Sequence, residues 1–169
     1  MKERLFPALS VVNHFSQERY RRLSAALLRS SGITVHGLPL WVSPRTYFDI
    51  AAPGCIELGD RCVISHYVRL LTHDFSLDRI AERKLGVSDR EVSHWSPVKV
   101  GAQAFLGMGV LIMPGVTIGD GAIVGAGSVV TKDVPDDEVW AGNPARPITS
   151  TDELWARRQA DLVWQDRRP

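Results

Sequence analysis

The sequence predicts an all-β solenoid, and a repeated pattern of six residues predicts it. Between Val100 and Pro135 the chain divides into six hexads: VGAQAF, LGMGVL, IMPGVT, IGDGAI, VGAGSV and VTKDVP. The first position of every hexad is aliphatic, and the fifth is small or β-branched. Glycine fills the second position in four of the six hexads. Together these three observations indicate short strands that alternate with tight corners.

The six-residue period excludes an amphipathic helix. Six residues at ~100° each rotate a helix by about 600°, so the apolar positions would spread around its surface. A short strand followed by a corner fits the period, because glycine adopts corner conformations that other residues avoid. Three such sides would close one turn of a coil. The six hexads would therefore supply two turns, whose backbones pair with each other.

Weaker copies of the repeat precede this region. They are LGDRCV, ISHYVR and LLTHDF, which begin at Leu58, Ile64 and Leu70. Cys62 occupies a fifth position and is expected to be an interior side chain, with a redox or metal-binding role as the alternative. Further back, LWVSPR and TYFDIA, read from Leu40 and Thr46, keep the register only loosely. The first turn is therefore expected to be irregular.

Three segments surround or interrupt the repeat. The predicted solenoid spans residues 36–148, after an N-terminal helical segment over 1–35 and before a C-terminal helix over 149–169. Within it, the charged stretch 75–97 has no aliphatic step of six. We expect this stretch to be a loop expelled from the solenoid, and it is either functional or a tolerated surface insertion.

Both terminal segments carry helix signals. At the N-terminus, Ser16 would cap a helix that ends near Gly32 and whose apolar face comprises Tyr20, Leu23 and Leu27. At the C-terminus, Ser150 or Thr151 would cap a helix with a partly apolar face, formed by Leu154, Trp155, Leu162 and Trp164. Both helices are expected to cover the ends of the solenoid or a neighbouring subunit.

Composition and charge narrow the class of protein. With 20 Lys+Arg against 19 Asp+Glu, the net charge is +1, which argues against nucleic acid as the main partner. No apolar run approaches the ~20 residues of a membrane helix. The first 15 residues contain Pro7 and no small-residue cleavage site, so a cytoplasmic location is expected. Two cysteines are too few for a disulfide scaffold and lack the spacing of a zinc site, so no metal is expected.

The run from Val98 to Ile148 carries a more specific signal. It reads VKVGAQAFLGMGVLIMPGVTIGDGAIVGAGSVVTKDVPDDEVWAGNPARPI and resembles the C-terminal half of the hexapeptide-repeat acetyltransferases, which transfer acetyl from acetyl-CoA to sugars. GAGSVVTKDVP followed by AGNPAR is more specific than the hexads. Upstream, YFDIA, LGDRCVIS and LLTHDF extend the similarity to Tyr47. The resemblance implies a left-handed parallel β-helix and an acetyl-CoA-dependent O-acetyltransferase.

The first 46 residues do not show the usual N-terminal region of the galactoside and maltose enzymes of this family. The chain is more similar to the shorter acetyltransferases of capsule, lipopolysaccharide and related polysaccharide pathways. The resemblance therefore implies a sugar, nucleotide-sugar or polysaccharide-precursor acceptor without naming it.

Acetyl transfer from a thioester to a hydroxyl needs a general base, and histidine suits this task because its ordinary pKa of ~6.5 leaves it mostly neutral at pH 7. Of the five histidines, His73 ends LLTHDF, where the repeat gives way to the loop. It matches the catalytic histidine of the family. Asp74 is not expected to orient it, because adjacent residues of an extended chain point to opposite sides.

The resemblance also implies residues that bind the acceptor. Asp49 in YFDIA and Ser65 in VISHY match acceptor-binding positions, although Asn is more usual at the second. Asp49 could instead be a corner residue. His94 and Trp95 lie in the expelled loop and could shape the acceptor pocket, with a solvated loop histidine as the alternative for His94.

The positions implied for the cofactor form two groups. Small residues of the solenoid wall would let the pantetheine arm approach, and the positions that the resemblance implies for this are Gly107, Met108, Gly125 and Ala126. The corners could require the same glycines. Thr131, Lys132 and Arg146 match positions near the nucleotide and its phosphates, where cations form charge-assisted contacts. A solvated face is the alternative.

The family packs three chains side by side, with active sites between them, so we expect a homotrimer.

Three alternatives to O-acetylation stay open. An amine acceptor would use the same base and groove, so N-acetylation is the first. The γ-type carbonic anhydrases share the solenoid and hold zinc with three histidines, but the spacing of His66, His73 and His94 does not match theirs. A non-catalytic scaffold is a further alternative, which acetyl-CoA binding would exclude.

Overall fold

The structure is a computed structural model that describes Val12 and residues 16–166. His14 and most of the first 15 residues of the predicted N-terminal segment 1–35 therefore lie outside the described residues, as do the last three residues of the predicted C-terminal helix 149–169. Short strands dominate the described part, with one helix before them, one in an excursion between them, and one after them.

The chain visits three sheets in rotation, as the predicted three-sided coil requires. The first sheet contains β1 (Thr34–Val35), β4 (Ile56–Leu58), β9 (Val98–Val100) and β12 (Thr117–Ile118). The second contains β2 (Trp41–Val42), β5 (Val63–Ile64), β10 (Phe105–Leu106), β13 (Ile123–Val124), β15 (Glu138–Gly142) and β16 (Ala145–Ser150). The third contains β3 (Tyr47–Phe48), β6 (Arg69–Leu70), β11 (Leu111–Ile112) and β14 (Val129–Val130). Strands within a sheet pair in parallel, except that β16 folds back antiparallel on β15.

The core consists of the first and fifth positions of the hexads. Side chains at the first position, from Val100 to Val130, are at most 3% exposed. The small fifth positions, from Ala104 to Val134, are equally buried. Cys62 at the earlier fifth position is 0% exposed, so its interior placement is confirmed. The pattern of burial follows from two inward side chains per side, one large and one small, which fill a narrow interior.

The first turn differs from the register read at Leu40 and Thr46. Val42 pairs with Ile64, and Phe48 pairs with Leu70, so the inward positions lie two residues further along the chain. Extra residues in the corners of this turn displaced the apparent hexads. The expectation of an irregular first turn is confirmed, but the hexad boundaries at residues 40 and 46 were wrong.

Close contact between turns explains the glycines at the second position. A Cβ atom on Gly119 would lie 2.4 Å from the backbone nitrogen of Asp136, and one on Gly101 would lie 2.6 Å from that of Asp120. Real Cβ atoms do not approach backbone that closely. Glycine at these corners is therefore required by the stacking of one turn on the next.

The excursion contains a helix that the sequence analysis did not predict. The chain leaves the coil through β7 (His73–Asp74), forms α2 (Ser76–Leu85), and returns through β8 (His94–Trp95), which pairs antiparallel with β7. The expected loop over 75–97 is thus partly helical. Asp78 in the first turn, basic residues in the last turn and Gly86 at φ 65° are ordinary helix-end signals that favour this helix.

The N-terminal helix, α1 (Gln17–Ser30), covers one end of the coil. Ser16 caps it as predicted, and the helix ends just before Gly32. The predicted apolar face was partly wrong, because Leu23 is 47% exposed while Ser24, Ala25 and Leu28 are buried. Tyr20 is fully buried and donates a hydrogen bond of 2.5 Å to the carbonyl oxygen of Val42, which fixes the helix to β2.

The C-terminal helix is shorter than predicted. Ser150 caps α3 (Thr151–Arg158) in a capping box with Glu153, and a short 3₁₀ helix follows over Gln159–Asp161. Leu162 and Trp164 lie beyond both helices, and Trp155 is half-exposed, so the predicted apolar face is not formed. In the part of the chain that the structure describes, no helix has the length and hydropathy to span a membrane.

Candidate active site

His73 lies where the coil ends and the excursion begins. Thr72, the preceding residue, is buried, and its carbonyl oxygen accepts a hydrogen bond of 2.9 Å from the Ser96 nitrogen. His73 itself pairs with Trp95 in the ladder of β7 and β8. The imidazole is therefore held from both sides of the excursion, by the strand that leaves the coil and by the strand that returns.

A buried carboxylate contacts one ring nitrogen of His73. Asp49 Oδ2 lies 2.5 Å from His73 Nδ1, and the Asp49 side chain is 8% exposed. The two atoms are in close contact, but the angle is not that of a well-directed hydrogen bond, and Nδ1 has no hydrogen-bond partner among the described residues. The His73 side chain is 30% exposed while Nδ1 is buried, so the accessible part of the ring lies elsewhere.

Thr72 holds Asp49 in place. Its backbone nitrogen donates a hydrogen bond of 2.9 Å to Asp49 Oδ2, and its hydroxyl donates one of 2.6 Å to the Asp49 carbonyl oxygen. The Asp49 nitrogen in turn donates to the carbonyl oxygen of Leu70. The neighbouring turns of the coil thus bring Asp49 and His73 together, although they are far apart in sequence. The sequence analysis did not find this pairing; stacking the turn that contains Asp49 on the turn that contains Leu70 would have shown it.

Two aromatic rings enclose the imidazole. The ring centroid of Trp95 lies 4.8 Å from that of His73 at a tilt of 31°, and Phe75 makes an edge contact at 5.0 Å. Trp95 and Phe75 are 51% and 42% exposed, so both rings also present surface to solvent. Phe75 was not among the predicted site residues.

Asp74 does not orient His73, in agreement with the alternation of an extended chain. Its carboxylate accepts hydrogen bonds from the backbone nitrogen (2.7 Å) and the hydroxyl (2.9 Å) of Ser76 at the start of α2. These two hydrogen bonds from Ser76 hold the pKa of the Asp74 carboxyl below its ordinary value. The Asp74 carboxylate therefore stabilises the start of α2, and Asp49 is the carboxylate that contacts the imidazole.

Only some of the remaining predicted acceptor residues lie near His73. Trp95 lies against His73, and His94 is exposed and 3.4 Å from the Ser96 hydroxyl. Ser65 follows β5, at the opposite end of β6 from His73, so one chain does not bring the two together.

The predicted pantetheine residues form a column at one corner. Because Ile64, Leu106 and Val124 pair across turns, the residues that follow them stack in the same order. Gly107 is buried, and a Cβ there would lie 2.6 Å from the Ala126 nitrogen, so stacking alone accounts for this glycine. Met108 is 54% exposed and Ala126 is exposed at the same corner. A Cβ added to the neighbouring Gly109 or Gly127 would meet nothing within 4 Å, so this corner presents a low, open surface.

The predicted phosphate residues lie elsewhere on the coil. Thr131 and Lys132 follow β14 and are exposed, at the opposite end of the third sheet from Met108. Arg146 lies in β16 and is exposed, with its guanidinium donating to the carbonyl oxygen of Ala145 at 2.8 Å. No salt bridge joins Lys132 or Arg146 to another of the described residues, so both cations are open to an anion.

The histidines of the zinc alternative are dispersed. His66 lies near Trp41 and Tyr67 at the other end of β6 from His73. Across residues 16–166, no group of three or more His, Cys, Asp or Glu side chains could hold a metal ion.

The sequence is similar to those of several known proteins. A family model described as bacterial transferase hexapeptide (six repeats) matches residues 97–132. Protein CapG of Staphylococcus aureus is 37% identical over 131 residues, which cover 77% of this chain and 73% of CapG. YvoF, a Bacillus subtilis protein that carries an acetyltransferase name, is 31% identical over 157 residues, covering 89% and 84% of the two chains. A Schizosaccharomyces pombe protein with a similar name is 38% identical over 103 residues, but the match spans 61% of this chain and only 45% of that protein.

Solved structures show the same fold. A galactoside acetyltransferase in complex with coenzyme A superposes with a TM-score of 0.58 at 23% identity, covering 99% of this chain and 88% of that chain. A hexapeptide-repeat acetyltransferase of Vibrio cholerae, VCA0836, complexed with acetyl-CoA, superposes with a TM-score of 0.55 at 26% identity, covering 88% and 86%. Because CapG and YvoF exceed 30% identity over most of both chains, and the repeat forms the core of the coil, this chain belongs to the hexapeptide-repeat acetyltransferase family.

Proposed function

We propose that this chain is an acetyltransferase that uses acetyl-CoA to acetylate a hydroxyl group of a sugar or polysaccharide precursor, with His73 as the general base. The observation that carries the proposal is the contact between buried Asp49 Oδ2 and buried His73 Nδ1 in a partly exposed imidazole. The acetyl-CoA complex of the Vibrio cholerae relative and the acetyltransferase name of YvoF support the choice of reaction.

Under this proposal the two nitrogens of His73 have different tasks. A carboxylate against Nδ1 favours the tautomer with its proton on that nitrogen, which leaves the lone pair of Nε2 for a hydroxyl. Acetyl-CoA supplies an acyl group activated as a thioester. His73 Nε2 takes the hydroxyl proton as the acceptor oxygen bonds to the acyl carbon, and then gives this proton to sulfur as the carbon–sulfur bond breaks. Asp49 stabilises the positive charge that the imidazole carries between these steps.

Under this proposal Asp49 orients His73 rather than binding the acceptor. Its carboxylate is 8% exposed and already contacts His73 and Thr72, which leaves little of it for a substrate. The acceptor would lie instead against the exposed side of the imidazole, between Phe75 and Trp95. Ser65 and His94 stay predictions for this role.

The two groups of predicted residues would bind different parts of the cofactor. The open corner at Met108 and Ala126 would let the pantetheine arm approach the backbone, with Gly107 and Gly125 beneath it. Lys132 and Arg146 are exposed cations suited to the phosphates, beside the hydroxyl of Thr131.

We also propose a left-handed coil and a homotrimer with active sites between subunits. In one chain, His73 and Met108 lie at opposite ends of the strands of the third sheet. To bring its thioester to the imidazole from the far corner of the same chain, the arm would have to cross the face of that sheet. A second copy could place its own Met108 corner beside His73, which supports sites shared between chains.

The test measures thiol release from acetyl-CoA with a panel of sugars, amino sugars and nucleotide sugars, and identifies products by mass. His73→Ala should lower turnover by on the order of 10²- to 10⁴-fold. His36→Ala, an exposed histidine on the first sheet, is the matched control and should retain turnover. Near-normal turnover of a folded His73→Ala variant would exclude the general base. Acetylation of nitrogen instead of oxygen, read from the resistance of the product to hydroxylamine, would replace the hydroxyl acceptor with an amine.

A further inference from the structure

A cavity of about 470 Å³ lies beside the His73 site, and no predicted role accounts for most of its walls. One wall is the turn over residues 51–55, which joins the third sheet to β4. The other is the segment 95–97, where the excursion returns to the coil. The side chains that make the cavity mainly apolar are those of Ala51, Ala52, Pro53, Cys55, Trp95 and Pro97.

Two of the lining residues, Trp95 and Thr72, connect this cavity to the proposed catalytic site. Trp95 lines it and also lies 4.8 Å, between ring centroids, from His73. Thr72 lines it and donates its hydroxyl to the carbonyl oxygen of Asp49 at 2.6 Å. His73 is not among the lining residues. The cavity is therefore placed to hold a group next to the reacting hydroxyl, while the hydroxyl itself lies at the imidazole.

Among the residues that the structure describes, none of those lining the cavity is charged. Its polar side chains are hydroxyls and one thiol, and the Thr72 hydroxyl is already bonded to Asp49. A carboxylate or phosphate placed there would find no cation on these walls to offset the water that it gives up. The half-exposed indole of Trp95 offers the opposite property, because an aromatic face packs against the apolar face of a sugar ring or against an alkyl group.

We infer that this cavity receives an uncharged, partly apolar substituent of the acceptor, such as the methyl group of a deoxysugar or an N-acyl group. It discriminates against acceptors with a carboxylate or phosphate at that position. The inference rests on the proposed function and narrows its acceptor to a neutral, deoxy or N-acylated sugar unit. Ala52 is the specificity-determining position, because its side chain is exposed and lines the cavity within a surface turn.

The experiment compares the wild-type protein, Ala52→Leu and Ala52→Lys with four acceptors: a 6-deoxyhexose, an N-acetylhexosamine, a hexuronic acid and a hexose phosphate. The wild-type kcat/KM should be at least about tenfold higher for the better of the two neutral sugars than for either anionic one. Ala52→Leu should raise the acceptor KM by about tenfold or more while the KM for acetyl-CoA stays unchanged. Ala52→Lys should shift the preference towards the hexuronic acid. Ala156→Leu, an exposed alanine on α3, is the matched control.

The outcomes separate this inference from the proposed function. Transfer that prefers the anionic sugars, or that keeps the same acceptor KM in Ala52→Leu, would overturn the inference and leave the acetyltransferase intact. Absence of acetyl transfer to every acceptor by the wild-type protein would overturn the proposed function, and the inference with it. Equal melting temperatures of the variants and the control would show that the kinetic changes do not come from misfolding.

Discussion

Asp49 and His73 belong to neighbouring turns of the coil, and Asp49 Oδ2 reaches His73 Nδ1 at 2.5 Å. The distance depends on the pairing of Phe48 with Leu70, which aligns the ends of β3 and β6. Thr72 fixes the carboxylate from the same turn as the imidazole. The stacking that builds the fold therefore also positions the proposed catalytic pair.

Asp49→Asn should lower kcat by roughly 10²- to 10⁴-fold while the KM for acetyl-CoA stays unchanged. The amide keeps the size of the carboxylate but does not stabilise a positive imidazole, and it can hold the ring in the wrong tautomer. Steady-state kinetics with the preferred acceptor would measure the effect. Asp74→Asn is the matched control, since that carboxylate bonds to Ser76. Equal effects of the two substitutions would contradict the role of Asp49.

Asp78→Ala should raise the acceptor KM without changing the KM for acetyl-CoA. Asp78 is 7% exposed, and its Oδ1 accepts a hydrogen bond of 2.9 Å from the Val92 nitrogen, which ties α2 to the segment that carries Trp95. Its other oxygen contacts Arg79, and these two contacts hold the pKa of the carboxyl below its ordinary value. Asp78→Asn keeps an acceptor oxygen and should behave nearly as the wild type. Hydrogen exchange over residues 90–96 should accelerate only in the alanine variant; unchanged exchange would show that the bond does not hold this segment.

Lys132→Ala should raise the KM for acetyl-CoA several-fold, with little change in kcat. An exposed cation attracts phosphate through a charge that salt screens, so the difference from wild type should shrink at high ionic strength. The measurement is the KM at two salt concentrations, with Lys84→Ala on the exposed face of α2 as the control. A KM that is unchanged at low salt would remove Lys132 from the phosphate site.

The protein should lose stability as the pH rises from about 9 to about 12. Burial raises the pKa of the Tyr20 hydroxyl and of the Cys62 thiol to about 12, from ordinary values of 10.0 and 9.0. In that window the unfolded chain releases these protons and the folded chain keeps them, so rising pH favours unfolding. Tyr20→Phe removes one of the two groups, so its deficit relative to wild type should narrow as the pH rises. Urea denaturation at several pH values tests this, with the surface change Tyr47→Phe as the control, and a constant deficit would contradict it.

The hexads were sufficient to predict the core, because the two buried positions on each side of the coil recur every six residues as an aliphatic residue and a small or β-branched one. They were not sufficient for Asp49, whose partner becomes apparent only when turns of unequal length are aligned. The extra residues of the first turn displaced that alignment by two positions, as the pairing of Val42 with Ile64 shows. The helix α2 was missed although Leu77 and Ile80 follow a helical spacing, because the stretch 75–97 was interpreted only as a break in the six-residue repeat. The cavity beside His73 depends on the path of the returning chain, which no local pattern encodes.

The excursion leaves the coil and returns without changing the order in which strands pair. Leu70 pairs with Ile112 on the far side of it, just as Ile112 pairs with Val130 where no excursion intervenes. The pairing of the strands in the coil therefore does not depend on the length or the sequence of the inserted segment. Segment 76–93, between Phe75 and β8, could be shortened, lengthened or exchanged for another while the coil, the Asp49–His73 pair and the strands that flank His73 stay in place, so this scaffold offers a route to new acceptors by transplanting one contiguous stretch of chain.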